Sequence, residues 1–485
     1  MAPDRADRPW HPATTASGEI VPGDRGTSEA SAGSSYVLPS NTDLSNIPPA
    51  YGTQGDRAYS LAELIDIAES NNPFTRKAWN DGRKVALAEG IAESTYLPSL
   101  TATVVGGYQA MNGNKSAFGV SANSDLTASG GIAAVSLQWL LFDFGERAAV
   151  VDTARQASVI ANIAFTAAHQ QVIYDVSVAF YANAAARARV GTATESLKNA
   201  EAVQAAAEDR KKRGIGTVVE VAQARQATAQ ARLMLVEATG AAQDSYLKLI
   251  SAMGISPLTK MKIADVSDRQ LPTGIGGSIE QFISEALARR PDVLSAYAAE
   301  KAAASQVEAA RDEFLPKLFL SASGAYNTGG LGVSAIPGVG QQSGTVNLTG
   351  NQFGGTILGG ITVPLYDGGK RSAVLEQARA TADNASVTLT HTREEAMREI
   401  VLADNALQTS LSAYAAAQSL TSAAQTTFDA ALAAYRNGVG SITDLTIAET
   451  QLLQAKDAAT NAYSTALSTA ATLALAAGAL GSAPE

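Results

Sequence analysis

Few side chains in this sequence are placed to make or break bonds. The three histidines, His11, His169 and His391, stand apart with no partner at metal-ligand spacing. The absence of cysteine removes thiol nucleophiles, thiolate ligands and disulfides. Gly338-Val339-Gly340-Gln341-Gln342-Ser343-Gly344 is one residue too long for a dinucleotide fingerprint and has no strand-to-helix context, so it reads as a loop. No enzymatic activity, cofactor or metal is expected. What recurs is acid and glycine at fixed spacing. Leu141-Phe142-Asp143-Phe144-Gly145-Glu146-Arg147 is echoed by Leu365-Tyr366-Asp367-Gly368-Gly369-Lys370-Arg371. Lys212-Arg213-Gly214-Ile215-Gly216-Thr217-Val218-Val219-Glu220 is echoed by Arg436-Asn437-Gly438-Val439-Gly440-Ser441-Ile442-Thr443-Asp444. Asp143 and Asp367 suit helix N-caps, with Gly145 and Gly369 allowing a sharp entry, while Arg147 and Arg371 either pair locally or meet lipid headgroups. The paired glycines at 214, 216, 438 and 440 let two antiparallel helices turn, and Asp444 falls where it complements a helix dipole.

Rods are needed to hold such turns. Asn72-Pro73 matches Arg290-Pro291, and Tyr96-Leu97-Pro98-Ser99-Leu100 matches Phe314-Leu315-Pro316-Lys317-Leu318, so four motif pairs recur in order at offsets of 218 to 224 residues. Residues 1–58 are rich in Pro, Gly, Ser and Asp and read as an extended or disordered lead segment. A first repeat then covers 59–277, with strands about 99–110 and 129–141 and a long helical hairpin about 145–253. The second covers 278–485, with strands about 317–327 and 355–365 and a hairpin about 369–478. No proline interrupts Pro98 to Pro257 or Pro364 to Pro484, and an unbroken helix from Lys370 to Asn437 would be about 100 Å long. Its apolar rhythm (Ala385, Leu389, Thr392, Ala396, Ile400, Ala403, Leu407, Leu411, Tyr414) follows an eleven-residue period that packs nearly straight. Beyond the turn a heptad takes over at Leu445, Ala448, Leu452, Ala455, Ala459, Ala462 and Ala466, with a counterpart at Val221, Ala224, Thr228, Ala231, Leu235, Ala238 and Ala242. The alanine-rich seams imply close helix approach.

Composition narrows the class. The 485 residues are 46% apolar and 17% charged, and the net charge of -10 argues against a nucleic-acid partner. No apolar run reaches the roughly 20 residues of a membrane helix, and Met1 to Asp7 carry no signal core, so an exported form would have lost its leader. The four brief segments between helices alternate with period two, each near the roughly 9 to 11 residues of a tilted membrane strand. Tyr108, Trp139, Phe142, Tyr326 and Tyr366 fall near their ends, and the Gly, Ser and Asn-rich stretches 111–127 and 328–353 read as exposed loops on one side. Four strands cannot close a barrel, and open edges are not tolerated in lipid, so copies must associate; three would give twelve strands with space for a channel, although this arithmetic does not select three. A periplasmic coiled-coil scaffold without a pore is the competing reading.

The duplicated Asn-Pro and Leu-Pro elements, the Leu-(Phe/Tyr)-Asp-x-Gly-x-Arg junctions and the Gly-x-Gly-(Thr/Ser)-x-x-(Glu/Asp) turns resemble the TolC-type outer-membrane efflux and secretion channels, from about Tyr59 to Gly478. The resemblance implies an α+β membrane protein. It would be a homotrimer with a twelve-stranded β-barrel, four strands per chain, in the outer-membrane lipid. A long twelve-helix α-barrel would continue it into the periplasm, and a small mixed region from 254–277 and the segment after Ala470 would girdle the tunnel. Such a passive exit duct serves a tripartite efflux pump or type I secretion system, with an inner-membrane pump of RND or ABC type and a periplasmic adaptor that docks on the tips and opens them. On that basis Lys212, Arg213, Gly214, Ile215 and Gly216, with Arg436, Asn437, Gly438, Val439 and Gly440, are expected to receive the adaptor. Glu220 and Asp444 face the closed entrance, Tyr435 helps tie it shut, and three copies of Asp444 form a carboxylate ring. Gly440 and Ile447 stand where the family can carry a bridging arginine and a second acidic ring, so the latch is weaker or uses Arg436. Cargo is not legible.

Overall fold

A computed structural model describes residues 10, 13–21, 36–52, 57–117, 120–266, 269–271, 278–333, 346–349 and 351–481. His11, the run Gly338 to Gly344 and much of the lead segment lie outside this set. The described lead residues include a 3-10 turn, Thr42–Leu44, capped by Asn41, and strand β1, Ala58–Tyr59. Helix α1 (Leu61–Asn71) starts in a full capping box between Ser60 and Glu63. Helix α2 (Pro73–Ser94) begins on its proline, which needs no N–H partner in the first turn. Strands β2 (Ser99–Ala117) and β3 (Val120–Phe142) precede helices α3 (Glu146–Lys212) and α4 (Val218–Ala252). Strand β4 (Lys262–Ile263) pairs in parallel with β1 and straps the chain start to the first hairpin. The second repeat runs α5 (Ile279–Leu287), α6 (Pro291–Asp312), β5 (Lys317–Val333), β6 (Val346–Thr349), β7 (Gln352–Thr362), α7 (Lys370–Arg436) and α8 (Ile442–Ala476).

The helices of the two repeats correspond in length: α3 and α7 have 67 residues each, α4 and α8 have 35, and α2 and α6 have 22. At about 1.5 Å per residue, α3 and α7 span about 100 Å. The seams are where the helices bury alanines between larger apolar residues: Val221, Ala224, Thr228 and Ala231 on α4, Leu445, Ala448, Leu452, Ala455 and Ala466 on α8, and Ala396, Ile400, Ala403 and Leu407 on α7. Two apolar clusters hold the hairpins together. One, around Tyr59, Leu64, Val176, Phe180, Leu249 and Met253, lies beside the β1–β4 strap, and the other, around Val203, Val221, Phe428, Tyr435, Leu445 and Leu452, lies near the turns.

All sheet pairings outside the strap are antiparallel. Ser99 faces Gln138 and the same register reaches Ala117 opposite Val120. Strand β3 pairs β5 from Gly130–Gly329 to Leu140–Phe319, then bulges before Phe142 meets Leu318. Strand β5 pairs β7 from Lys317–Thr362 to Asn327–Gln352, and the unbroken register continues into β6, so β6 and β7 are two stretches of one strand. The sheet is thus four strands wide, and within one protomer it is open, with β2 and β7 at its edges. The strands correct the sequence reading in length. Residues 111–117 and 120–127, expected to form a loop, continue the β2–β3 ladder, because small and polar residues without proline leave nothing to stop the register from running on. The final strand lies at Gln352–Thr362, a few residues earlier than expected.

Strands β3 and β7 hand over to their rods through an ion-pair knot, buried at the first junction and partly open to water at the second. Asp143 Oδ2 accepts from the backbone N–H and Nε of Arg147, both at 2.9 Å, and Arg147 Nη1 donates to the carbonyls of Thr95 and Leu140. The guanidinium also covers the Tyr96 ring at 4.8 Å. Arg371 repeats the plan with Asp367 at 3.0 and 2.8 Å, the Pro364 carbonyl and the Phe314 ring. Both arginines therefore pair locally. The cap is not built as the sequence suggested: Gly145 and Gly369, at φ of 122° and 86°, occupy the N-cap position and have no side chain to cap with, so the aspartates reach in from two residues earlier.

A second duplicated tie locks the far end of each hairpin. Asn72 Nδ2 donates to the Ala252 carbonyl at 2.9 Å, and Arg290 Nη1 to the Ala476 carbonyl at 2.7 Å, satisfying the last turns of α4 and α8. Gly254 and Gly478 end those helices at φ of 70° and 63°. A Cβ on Gly254 would lie 2.6 Å from the Asn72 Cα. Gly254→Ala is therefore expected to cost at least about 2 kcal/mol, from the left-handed backbone and the clash together. Gly240→Ala, in mid-helix with nothing within 4 Å of its added methyl, should stabilise by about 0.5 to 1 kcal/mol. Thermal unfolding in detergent checks both, and an unshifted midpoint for Gly254→Ala would contradict this account of the tie.

Candidate functional site

The two helical turns form the end of the molecule remote from the sheet. After α3, Gly214 takes φ of 78°, and the N–H groups of Ile215 and Gly216 both donate to the Arg210 carbonyl, at 3.0 and 3.1 Å. After α7, Gly438 takes φ of 81°, and Val439 and Gly440 donate likewise to the Ala434 carbonyl. These bonds close the helix C-termini. A Cβ on Gly216 would come within 2.9 Å of the Lys211 nitrogen, and one on Gly440 within 3.0 Å of the Tyr435 nitrogen, so glycine is required there by close approach. Thr217 and Ser441 then cap the returning helices by accepting from the N–H groups of Glu220 and Asp444, both at 3.1 Å. Lys212, Arg213, Gly214 and Ile215 are exposed, as are Asn437, Gly438 and Val439, the last at 83%.

Between the turns sits a polar cluster. Tyr435 is fully buried and its hydroxyl donates to Glu220 Oε2 at 3.4 Å, joining α7 to the start of α4. Burial, and then the adjacent Glu220 carboxylate, push the Tyr435 phenol above its ordinary range. Arg210 completes the cluster from α3. Its Nη1 donates to the Tyr435 carbonyl at 2.9 Å, its guanidinium lies 4.9 Å from the Tyr435 ring centre, and its Nε is 3.7 Å from Glu220 Oε2. The same Nη1 is 3.4 Å from where a Gly438 side chain would begin. One arginine therefore clamps both hairpins at the base of their turns. Arg436, one of the two alternatives for the latch, is exposed and has no hydrogen bond or ion pair among the described residues. Asp444 is exposed on the outside of the cluster, where it accepts from the Ser441 hydroxyl at 2.7 Å. Asp143, Gly145, Asp367 and Gly369 lie at the opposite end of the rods and do not belong to this site.

Arg210 escaped the sequence reading because it lies outside the repeated motif. The duplication itself carried the signal. Its partner at the same offset is Ala434, and Tyr435 corresponds to Lys211, so both residues that make the clamp fall where the repeats differ in chemistry. Among the described residues no group of three or more His, Cys, Asp or Glu could hold a metal.

A model of the outer membrane efflux protein family matches residues 64–255 and 282–479, one block in each repeat. The chain belongs to the outer membrane efflux protein family. Its relatives include CyaE of Bordetella pertussis, 28% identical over 71% of this chain and 68% of that protein. Another is TolC of Escherichia coli, 24% identical over 84% of this chain and 79% of that protein. The crystal structure of VceC from Vibrio cholerae superposes with a TM-score of 0.69 over 86% of this chain and 96% of that one at 22% identity, which shows a shared fold. Membership makes this an efflux component of the outer membrane, not an enzyme. In this efflux protein, Arg210→Ala should loosen both turns by about 1 to 3 kcal/mol, and Arg210→Lys should recover little, since a single ammonium cannot serve a carbonyl, a carboxylate and a ring at once. Tyr435→Phe should cost under about 1 kcal/mol. Amide hydrogen exchange across 207–222 and 433–446 reads these effects; unchanged protection in Arg210→Ala would show that the clamp does not hold the tips.

Proposed function

We propose that three copies of this chain assemble into a passive duct: twelve strands close a barrel in the outer membrane, and the helical hairpins line a periplasmic tunnel whose tips open on docking to an adaptor fed by an inner-membrane pump. The observation that carries this reading is the open sheet. Its edge strands β2 and β7 expose Leu100, Val104 and Tyr108 and Phe353, Ile357 and Ile361, each set on one face at a spacing of four residues. Apolar side chains beside unpaired backbone are tolerated when another copy supplies the ladder and lipid the solvent. The rods argue the same way: of the α7 residues from Arg371 to Glu395 only Arg371 is buried, so this stretch of the helix needs a neighbouring chain along its length.

The adaptor surface in this reading is the pair of exposed turns. Ile215 and Val439 project from them without structural duties, whereas the glycines are needed for the turns themselves. Ile215→Asp with Val439→Asp should therefore abolish export, by at least tenfold in a cell-based efflux assay, while the detergent-extracted oligomer keeps its mass and melting behaviour. Unimpaired export by this double variant would remove the docking assignment. Asp444 belongs to the gate: three copies near the axis attract cations, and Asp444→Asn should lower cation over anion preference in planar bilayers. An unchanged reversal potential would count against the ring.

A further inference from the structure

The least compensated charge-bearing group near the tips is Glu449 on α8. It is nine-tenths buried, and its Oε1 is enclosed with no hydrogen-bond partner among the described residues. Among the described residues, the side chain that bears on its carboxyl is the Ser196 hydroxyl on α3. Glu449 lines a groove of about 350 Å³ between α4 and α8, walled by Gln223, Gln226 and Gln230 on one side and Thr446 and Thr450 on the other. None of those neighbours titrates. Toward α7 the helix presents only its apolar seam, Leu445, Ala448 and Leu452, against residues such as Ala424 and Phe428. Of the charges nearby on these helices, Lys456 is engaged with Glu195 at 2.7 Å, Arg225 with Glu208 at 2.9 Å and Arg210 with Glu220 at 3.7 Å, while Lys198 on α3 is exposed to water. A carboxylate at this position has no cation to face, and removing it from water without one is costly.

We infer that Glu449 is a proton-dependent clasp between the hairpins: as the neutral acid it lets α8 lie against α3 and α4, and as the carboxylate it drives them apart, so the tips part more readily as the surroundings become alkaline. This rests on the proposed reading that the hairpins separate to open the duct. Burial pushes Glu449 up from 4.5 to about 7, with Ser196 opposing the shift. The direction follows from linkage. The packed state holds the proton between those two values and the parted state, with the carboxyl in water, releases it. Packing is therefore favoured in full below about 4.5, and the advantage is lost as the pH rises through about 7. Across that window the parted-to-packed ratio should climb by roughly tenfold per pH unit for each protomer. The groove gives water, and hence the proton, a route to the site.

The chain has no cysteine, so two can be introduced for spin labels without background. Labels at Leu233 on α4 and Gln451 on α8, both exposed, report the separation of the helices in the full-length, detergent-extracted oligomer. Between pH 5 and 8.5 the labelled protein should shift toward longer distances, with the rise lying below about 7 and a plateau above it. The same pair in the Glu449→Gln background should stay at the short distance throughout. Ser196→Ala, which removes the opposing hydroxyl, should carry the rise to higher pH before it levels off. A wild-type distance that ignores pH, or a Glu449→Gln protein that keeps the wild-type response, would overturn the clasp. Planar-bilayer conductance over the same range separates this from the duct reading. A pH-dependent distance in a protein that never conducts supports the clasp and sinks the duct, and conductance with no change in distance does the reverse.

Discussion

The constraint on which the structure turns is the need of backbone N–H and C=O groups for partners where water is absent. One protomer supplies four antiparallel strands and leaves two edges open, an arrangement that is costly in lipid and is relieved when the edges of neighbouring copies pair. In the proposed trimer this requirement also disposes the helices, since both hairpins must leave the sheet on one side. The handover has to be abrupt and rigid. That explains why the strand-to-helix junctions carry a polar knot: a carboxylate two residues ahead of the helix, a glycine in left-handed backbone, and an arginine that joins cap, backbone carbonyl and aromatic ring. A buried ion pair of this kind contributes more to geometry than to stability. At the first junction Phe144 even accepts φ of 56°, where the second has Gly368. Lys317 reaches across to Glu146 at 2.5 Å, so the second repeat's strand steadies the first repeat's rod.

The two repeats agree wherever a feature is structural and differ where the tips do something. Rods, returns and turns match residue for residue in length. The tie at the base of each hairpin is kept although its chemistry changes, Asn72 in one and Arg290 in the other, because what it must satisfy is the same exposed helix carbonyl. Arg290 brings charge with it and also pairs with Asp292 and Glu399, each at 2.6 Å. At the tips the pattern breaks: Arg210 faces Tyr435, and neither has a chemical equivalent at the matching position. A latch that joins unlike hairpins needs complementary groups, and duplication alone supplies identical ones.

Much of this was legible beforehand. Long-range order showed in the motif pairs, the seams in the spacing of alanine and leucine, and the turns in Gly214, Gly216, Gly438 and Gly440, because each depends on local geometry that few residue types allow. Strand ends were not legible, since Gly, Ser and Asn serve a loop or an extended ladder equally and only pairing decides between them. Asp143 and Asp367 were read as caps, yet their position two residues ahead of the helix depends on the left-handed glycine between, a backbone choice that composition does not reveal. Arg210 and Glu449 were missed for a common reason. Each is a charged residue in a helix that would ordinarily face water, and only the packing of a second hairpin makes it buried.

The most direct test is the mass of the intact particle. Native mass spectrometry of the full chain extracted from outer membranes in detergent should give a single species of three times the 49.8 kDa chain, without a monomer in equilibrium. A water-soluble monomer, or a series of masses with no closed stoichiometry, would contradict the pairing of edges from which the whole account follows.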